Sequence, residues 1–222
     1  MKEGGRQMEG ISRLGQIFIG LITLGGLTMV TYAAVERHPW HQYQFLLLLV
    51  IAVLASRLKL KLPGLNGTMS VNLPFILIAQ CQLSPAEALV IACASTLVQS
   101  LPRAGAKLKP VQVMFNVSTM AVAVGLAGLI FQGGRPQVSG SLFLVLAGAT
   151  FFLVQTIPVA TIISLTEGGK ALRIWLSIVH LSFPYYVLSA GTTSLVTTAS
   201  HRIGWQIPLV VLPAMYGVYR SY

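Results

Sequence analysis

The chain has 222 residues, of which 55% are hydrophobic and only 9% charged, with a mean hydropathy of +0.76. A soluble domain carries roughly 25% charged residues, so this composition excludes one and points to an integral membrane protein. Fifteen Lys and Arg stand against five acids, a net charge of +10 with no Asp anywhere; the basic residues sit singly or in small clusters between apolar runs, without interleaved aromatics, which reads as orientation and not as a nucleic-acid surface.

A helix needs about 20 apolar residues to cross a hydrocarbon core of roughly 30 Å, and eight segments are candidates. The first, Gly15 to Val35, follows a charged N-terminus without a cleavage site and reads as an uncleaved helix. Gln42 to Ser56 is the second. The third and fourth, Ser70 to Leu83 and Pro85 to Leu101, are short and are punctuated, with the residues leading into them, by Asn66, Thr68, Ser70, Asn72, Gln80, Gln82 and Glu87. About 14 residues of helix rise only about 21 Å, so this pair either crosses a thinned bilayer or forms a re-entrant hairpin. In both cases its polar groups must be buried in protein or line a cavity. Ahead of it, "PGLNG" at 63–67 reads as a turn. At its tip Ser84, Pro85 and Glu87 have the spacing of a helix cap, with proton carriage the rival role for the acid.

The fifth segment, Pro110 to Gln132, places Gln112, Asn116 and Thr119 on one face, with Asn116 about 9 Å into the helix. A pocket is expected there, near the cytoplasmic half, with Asn72 and Gln80 opposite. The sixth, Ser141 to Thr166, carries Gln155 and Thr156 just before Pro158, where a kink frees a carbonyl. On the seventh, Lys170 to Ser200, Arg173, Ser177, His180, Pro184 and Gly191 share a narrow sector. Such stripes have two readings, glue between helices or the lining of a ligand pocket. The eighth segment is Gly204 to Tyr219. The expected fold is therefore all-α: one polytopic helical bundle over residues 1–222, with no room for a soluble domain.

Charge sets the orientation. With the N-terminus inside, one side collects Lys2, Arg6 and Arg13, then Arg57, Lys59 and Lys61, then Arg103, Lys107 and Lys109, and finally Lys170, Arg173 and Arg220. The other side receives only Arg37, Arg135 and Arg202. Short basic loops stay cytoplasmic, so both termini are expected there. Trp40 and Trp205 are expected interfacial anchors.

Chemistry is sparse. There is no carboxylate pair, triad, HExxH or phosphate loop, so no enzyme is expected. Cys81 and Cys93 lie in apolar segments without metal-site spacing. His180 is the only histidine inside an apolar segment and counts as a candidate ligand-binding residue, but a lone imidazole cannot supply paired haem ligation; no metal or cofactor is expected.

The succession "NGTMSVNLPFILIAQCQLSPAEALVIACASTLVQSL", "KPVQVMFNVSTMAVAVGLAG" and "SFPYYVLSAG" resembles the multi-pass N-terminal sensor regions (MASE type) that precede HD-GYP or GGDEF domains in bacterial cyclic-di-GMP signalling proteins. It is similar, more distantly, to the substrate-binding subunits of energy-coupling-factor vitamin transporters. The resemblance runs from about Arg57 to Tyr222 and implies an interior pocket lined by Asn72, Gln80, Gln99, Gln112, Asn116 and Gln155. It also implies the bacterial inner membrane, a small-molecule ligand, and an output domain or protein partner beyond "YGVYRSY", where this sequence carries none. The expected function is a non-catalytic sensor that passes a signal to that partner. The alternatives are a transporter's substrate-binding subunit and a structural subunit of a larger membrane complex.

Overall fold

The computed structural model describes residues 12–35, 41–61, 68–102, 108–133 and 140–203. These form seven helices: α1 (Arg13–Val35), α2 (Gln42–Ser56), α3 (Leu73–Gln82), α4 (Pro85–Ser100), α5 (Pro110–Gly133), α6 (Gly140–Glu167) and α7 (Ala171–Ile203). The bounds lie within three residues of the expected segments, and α2 matches to the residue. The expected eighth segment, the turn at 63–67, both anchoring tryptophans and the outer-side Arg37 and Arg135 fall outside the described residues.

The all-α expectation holds, with one short strand pair added beside the helices. Lys59–Lys61 (β1) and Thr68–Ser70 (β2) form an antiparallel ribbon in the register Lys59↔Ser70, Leu60↔Met69 and Lys61↔Thr68. Ser70 therefore closes a strand and the third helix starts at Leu73, where Pro74 suits a first turn whose N–H groups lack intrahelical acceptors. The Val71 N–H donates to the Leu58 carbonyl at 3.1 Å and continues the pairing to the helix entrance.

α3 is the centre of the bundle. Every residue from Leu73 to Ala79 is buried, as expected for a helix that is apolar all round. The expectation that this stretch packs inside the bundle is borne out, and Asn72 is only 4% exposed. Around it stand α4, α2, α5 and α7. α1, α5, α6 and α7 are long and apolar enough to cross a membrane. α1 turns Leu14, Leu21, Leu24 and Leu27 outward, an apolar surface of the kind that meets a membrane or another protein. Its Thr23, Thr28 and Thr31 return their hydroxyls to carbonyls one turn back, so none of these three donors is left unpaired.

Small residues set the closest approach. A Cβ on Gly26 of α1 would lie 2.9 Å from Ser118 Cα, and one on Gly125 of α5 would lie 2.6 Å from Met29 Sδ. α1 and α5 thus pack backbone to backbone, in the manner of small-residue membrane interfaces. They run parallel, with Phe18 against Phe115 at a ring separation of 6.3 Å. The α6–α7 turn uses Gly168 and Gly169 at φ +82° and +96°, a left-handed conformation that other residues adopt only under strain.

The contacts also sort the helix ends. Ser12 donates to the Leu165 carbonyl, and Asn116 near the start of α5 donates to Ser100 at the end of α4. The starts of α1, α5 and α7 and the ends of α2, α4 and α6 therefore share one end of the bundle. Of the described Lys and Arg, all but Arg202 lie in the chain at that end: Arg13, Arg57, Lys59, Lys61, Lys109, Lys170 and Arg173.

Candidate functional site

The α3–α4 turn lies at the opposite end and is held by a buried acid. Ser84 caps α4, accepting the Glu87 N–H, while Glu87 Oε2 accepts the Ser84 N–H at 3.0 Å and its hydroxyl at 2.7 Å. The helix-cap reading of Glu87 is therefore correct. The sequence does not disclose its second bond: Oε1 accepts the His41 N–H at 2.7 Å, and the half-exposed His41 imidazole lies 3.8 Å from Oε2. One fully buried carboxylate thereby ties the start of α2 to the turn. Its charge is met by three donors, which is how a buried carboxylate is tolerated.

One turn before this tip, Gln80 is the first half-buried residue of α3 after seven buried ones. Its Nε2 donates to the Val124 carbonyl of α5 at 2.8 Å. The approach needs Gly128, where a Cβ would lie 3.2 Å from that nitrogen. Gln80 separates two clefts. The first, about 20 Å³ and partly open, with room for about one water molecule, lies between α1, the α3–α4 turn and α5, lined by Met29, Tyr32, Pro85, Leu89, Leu129 and Gln132 among others. The second, also about 20 Å³, lies between α3, α5, α6 and α7 and is lined by Cys81, Phe131, Leu144, Ala147, Ala190 and Thr193 among others. Among the described residues, neither is lined by a charged side chain.

The other expected site residues do not converge on these clefts. Asn72 donates to Ser95 at 3.1 Å, at the buried entrance of α3, and Asn116 donates to Ser100 at 3.3 Å. Gln99 is half-buried on the last turn of α4 and Gln112 is exposed on the first turn of α5. The pocket expected to join Gln112 and Asn116 with Asn72 and Gln80 is not formed: Gln80 bonds eight residues further along α5 than Asn116, towards the other end. Gln155 on α6 is half-buried with its Oε1 unpartnered among the described residues. His180 is exposed, as are Arg173, Ser177, Pro184 and Gly191, so that entire stripe faces outward.

The inner face of α7 carries what the sequence reading missed. Tyr185 is buried, and its hydroxyl accepts the Leu73 N–H at 3.3 Å, capping α3. The Thr193 hydroxyl reaches both the Ser189 carbonyl at 2.9 Å and the Pro74 carbonyl at 3.4 Å. The signal for this face was the seven-residue interval from Ser182 to Ser189 followed four later by Thr193, a hydroxyl stripe parallel to the one singled out. Among the described residues, no three His, Cys, Asp or Glu side chains are grouped to hold a metal, and the arrangement offers apolar surface with isolated hydrogen-bonding groups.

A family model, MASE9, matches residues 29–221. The chain belongs to this family of membrane-associated sensor domains. No curated protein and no solved structure matches it.

Proposed function

From that membership we propose that the protein is a non-catalytic sensor, multi-pass in the bacterial inner membrane, that converts a change in the packing of α3 and α4 into a signal at its basic end. The observation that carries the reading is the way α3 is held. It is buried on all sides, yet each neighbour grips it or its turn by a separate polar link: Ser95 to Asn72, Tyr185 to Leu73, Val124 to Gln80, and His41 to Glu87. A ligand that favours one placement of the hairpin shifts the whole set, and it does so only by its differential affinity for the two placements. The gathering of Arg13, Arg57, Lys109, Lys170 and Arg173 at one end supports a cytoplasmic assignment for that end. The start of α1, and with it the N-terminus, then lies inside.

The output we assign is a cytoplasmic cyclic-di-GMP enzyme, in the same polypeptide or as a partner. Isolation of the protein from its native membrane in mild detergent, with its associated chains identified, tests this. A cyclic-di-GMP synthase or phosphodiesterase is the expected finding. An ATPase pair would make the chain a transport subunit, and a respiratory or photosynthetic core would make it a structural one.

A further inference from the structure

We infer that the corner of the basic end where the start of α1 meets the α6–α7 turn binds the headgroup of an anionic phospholipid. Two hydrogen bonds build the corner. The Ser12 hydroxyl donates to the Leu165 carbonyl at 3.3 Å, fixing the start of α1 against the end of α6, and the Ser164 hydroxyl donates to the Gly169 carbonyl at 2.8 Å, folding the turn back on α6. Arg13, Lys170 and Arg173 are therefore carried to one corner, and all three are exposed. Glu167, on the last turn of α6, is the one acid there among the described residues, and it forms an ion pair with none of them. The residues ahead of Ser12 hold two cations, Lys2 and Arg6, and two acids, Glu3 and Glu9. They add no net charge, and with them included the corner stays positive. The other loops of this end, 57–61 and 103–109, contain Lys and Arg but no acid.

Depth selects the partner. α1, α6 and α7 are each long and apolar enough to cross a membrane, so the corner that joins their ends lies where hydrocarbon gives way to headgroups. Arg13 shares one face of α1 with the exposed Ile17, Leu21 and Leu24, and Arg173 shares one face of α7 with the exposed Leu176, Phe183 and Val187. Each guanidinium thus stands at the head of an apolar stripe, the arrangement in which an arginine lays its stem along apolar surface and its charge at the level of the phosphates. A molecule that joins a phosphate diester to acyl chains fits this pattern, because the diester accepts from guanidinium groups and the chains lie along the stripes. A zwitterionic lipid brings a cation of its own, which the three basic side chains repel; an anionic lipid does not. Bound there, one headgroup bridges α1 to the start of α7, the helix whose Tyr185 and Thr193 hold the entrance of α3.

The test uses the intact chain in a neutral detergent, mixed with equal amounts of phosphatidylglycerol and phosphatidylcholine of the same acyl chains, with retained lipid counted by native mass spectrometry. Phosphatidylglycerol should be retained about tenfold over phosphatidylcholine. Arg13→Gln combined with Arg173→Gln should bring the two lipids close to parity, and Lys170→Gln alone should lower the preference in the same direction. Arg13→Lys combined with Arg173→Lys keeps the charge and should keep most of the preference. Arg57→Gln combined with Lys109→Gln removes as much charge from the same end and should leave the preference in place. Equal retention of the two lipids by the unaltered chain would overturn the inference, and so would an equal loss in the Arg57 and Lys109 pair, which would make the attraction one of diffuse charge. Displacement of the lipid by glycerol phosphate would make the ligand a free phosphate, and displacement by a glutamate-rich peptide would give the corner to an acidic protein; either result overturns the assignment to lipid. The readout needs no output enzyme, so its failure and that of the cyclic-di-GMP reading are distinct.

Discussion

Gly128→Ala isolates the contact on which the site depends. The added Cβ meets Gln80 Nε2 at 3.2 Å, so the amide must withdraw by a few tenths of an ångström from a bond of 2.8 Å to Val124. The Val124 carbonyl keeps its partner in the α5 ladder, and the loss is therefore that of one interhelical hydrogen bond. Such bonds in membranes average about 0.6 kcal/mol and reach about 1.7 kcal/mol. Replacing Gly by Ala inside a helix returns up to about 1 kcal/mol. The two terms nearly cancel, so the single mutant should change stability by less than about 1 kcal/mol and decides nothing alone. A double-mutant cycle with Gln80→Ala separates them. Without the amide nothing opposes the Cβ, and Gly128→Ala should stabilise; the coupling between the sites should be roughly 1 kcal/mol. Unfolding in bicelles, driven by SDS and followed by fluorescence, measures all four corners. A coupling indistinguishable from zero would show that Gly128 does not serve the Gln80 bond and would refute the reasoning.

Glu87→Gln keeps the shape but places a donor against the His41 or Ser84 N–H, leaving one buried group unpaired; it should destabilise by roughly 1–3 kcal/mol in the same assay, and a neutral result would contradict the three-donor account. Ser84→Ala removes only the cap and should cost about 1 kcal/mol. Phe75→Ala, at a position with no exposed surface, should cost less than the roughly 3–5 kcal/mol of a soluble core, because the reference state in lipid is already apolar and only the lost packing counts. For orientation, cysteines introduced at Arg57 and Lys109 should resist a membrane-impermeant reagent on intact cells and react in inverted vesicles; labelling of either from outside would reverse the assignment.

Hydropathy was sufficient for helix bounds to within three residues because a long apolar run in a membrane satisfies its backbone groups only as a helix. It failed at Thr68–Ser70, whose strand identity comes from pairing with Lys59–Lys61 and has no periodicity of its own in three residues. The capping of α4 was legible because Ser84 and Glu87 are local in sequence. The second bond of Glu87, to His41 forty-six positions away, was not. Helical spacing correctly placed Arg173, Ser177 and His180 on one face of α7, but a wheel does not say which face turns inward. The answer lay in Ser182, Ser189 and Thr193, hydroxyls that satisfy themselves on carbonyls one turn back and can therefore be buried. Similarly, Gln112 and Asn116 do share a face, yet Gln112 sits on the first turn of α5 and stays exposed. Gln80 was found as a polar residue in an apolar run, whereas its acceptor is a backbone carbonyl beside a glycine, a match set by tertiary register that no residue type announces.

The central claim is that the interior of the bundle governs an output at its basic end. The most direct measurement is the cellular level of cyclic-di-GMP with the natural protein and its output in place, compared between wild type and Gln80→Leu at equal amounts of inserted protein. The account predicts a severalfold change, because Gln80 is the polar link that ties the hairpin to α5. An unchanged level, with insertion and stability intact, would contradict it.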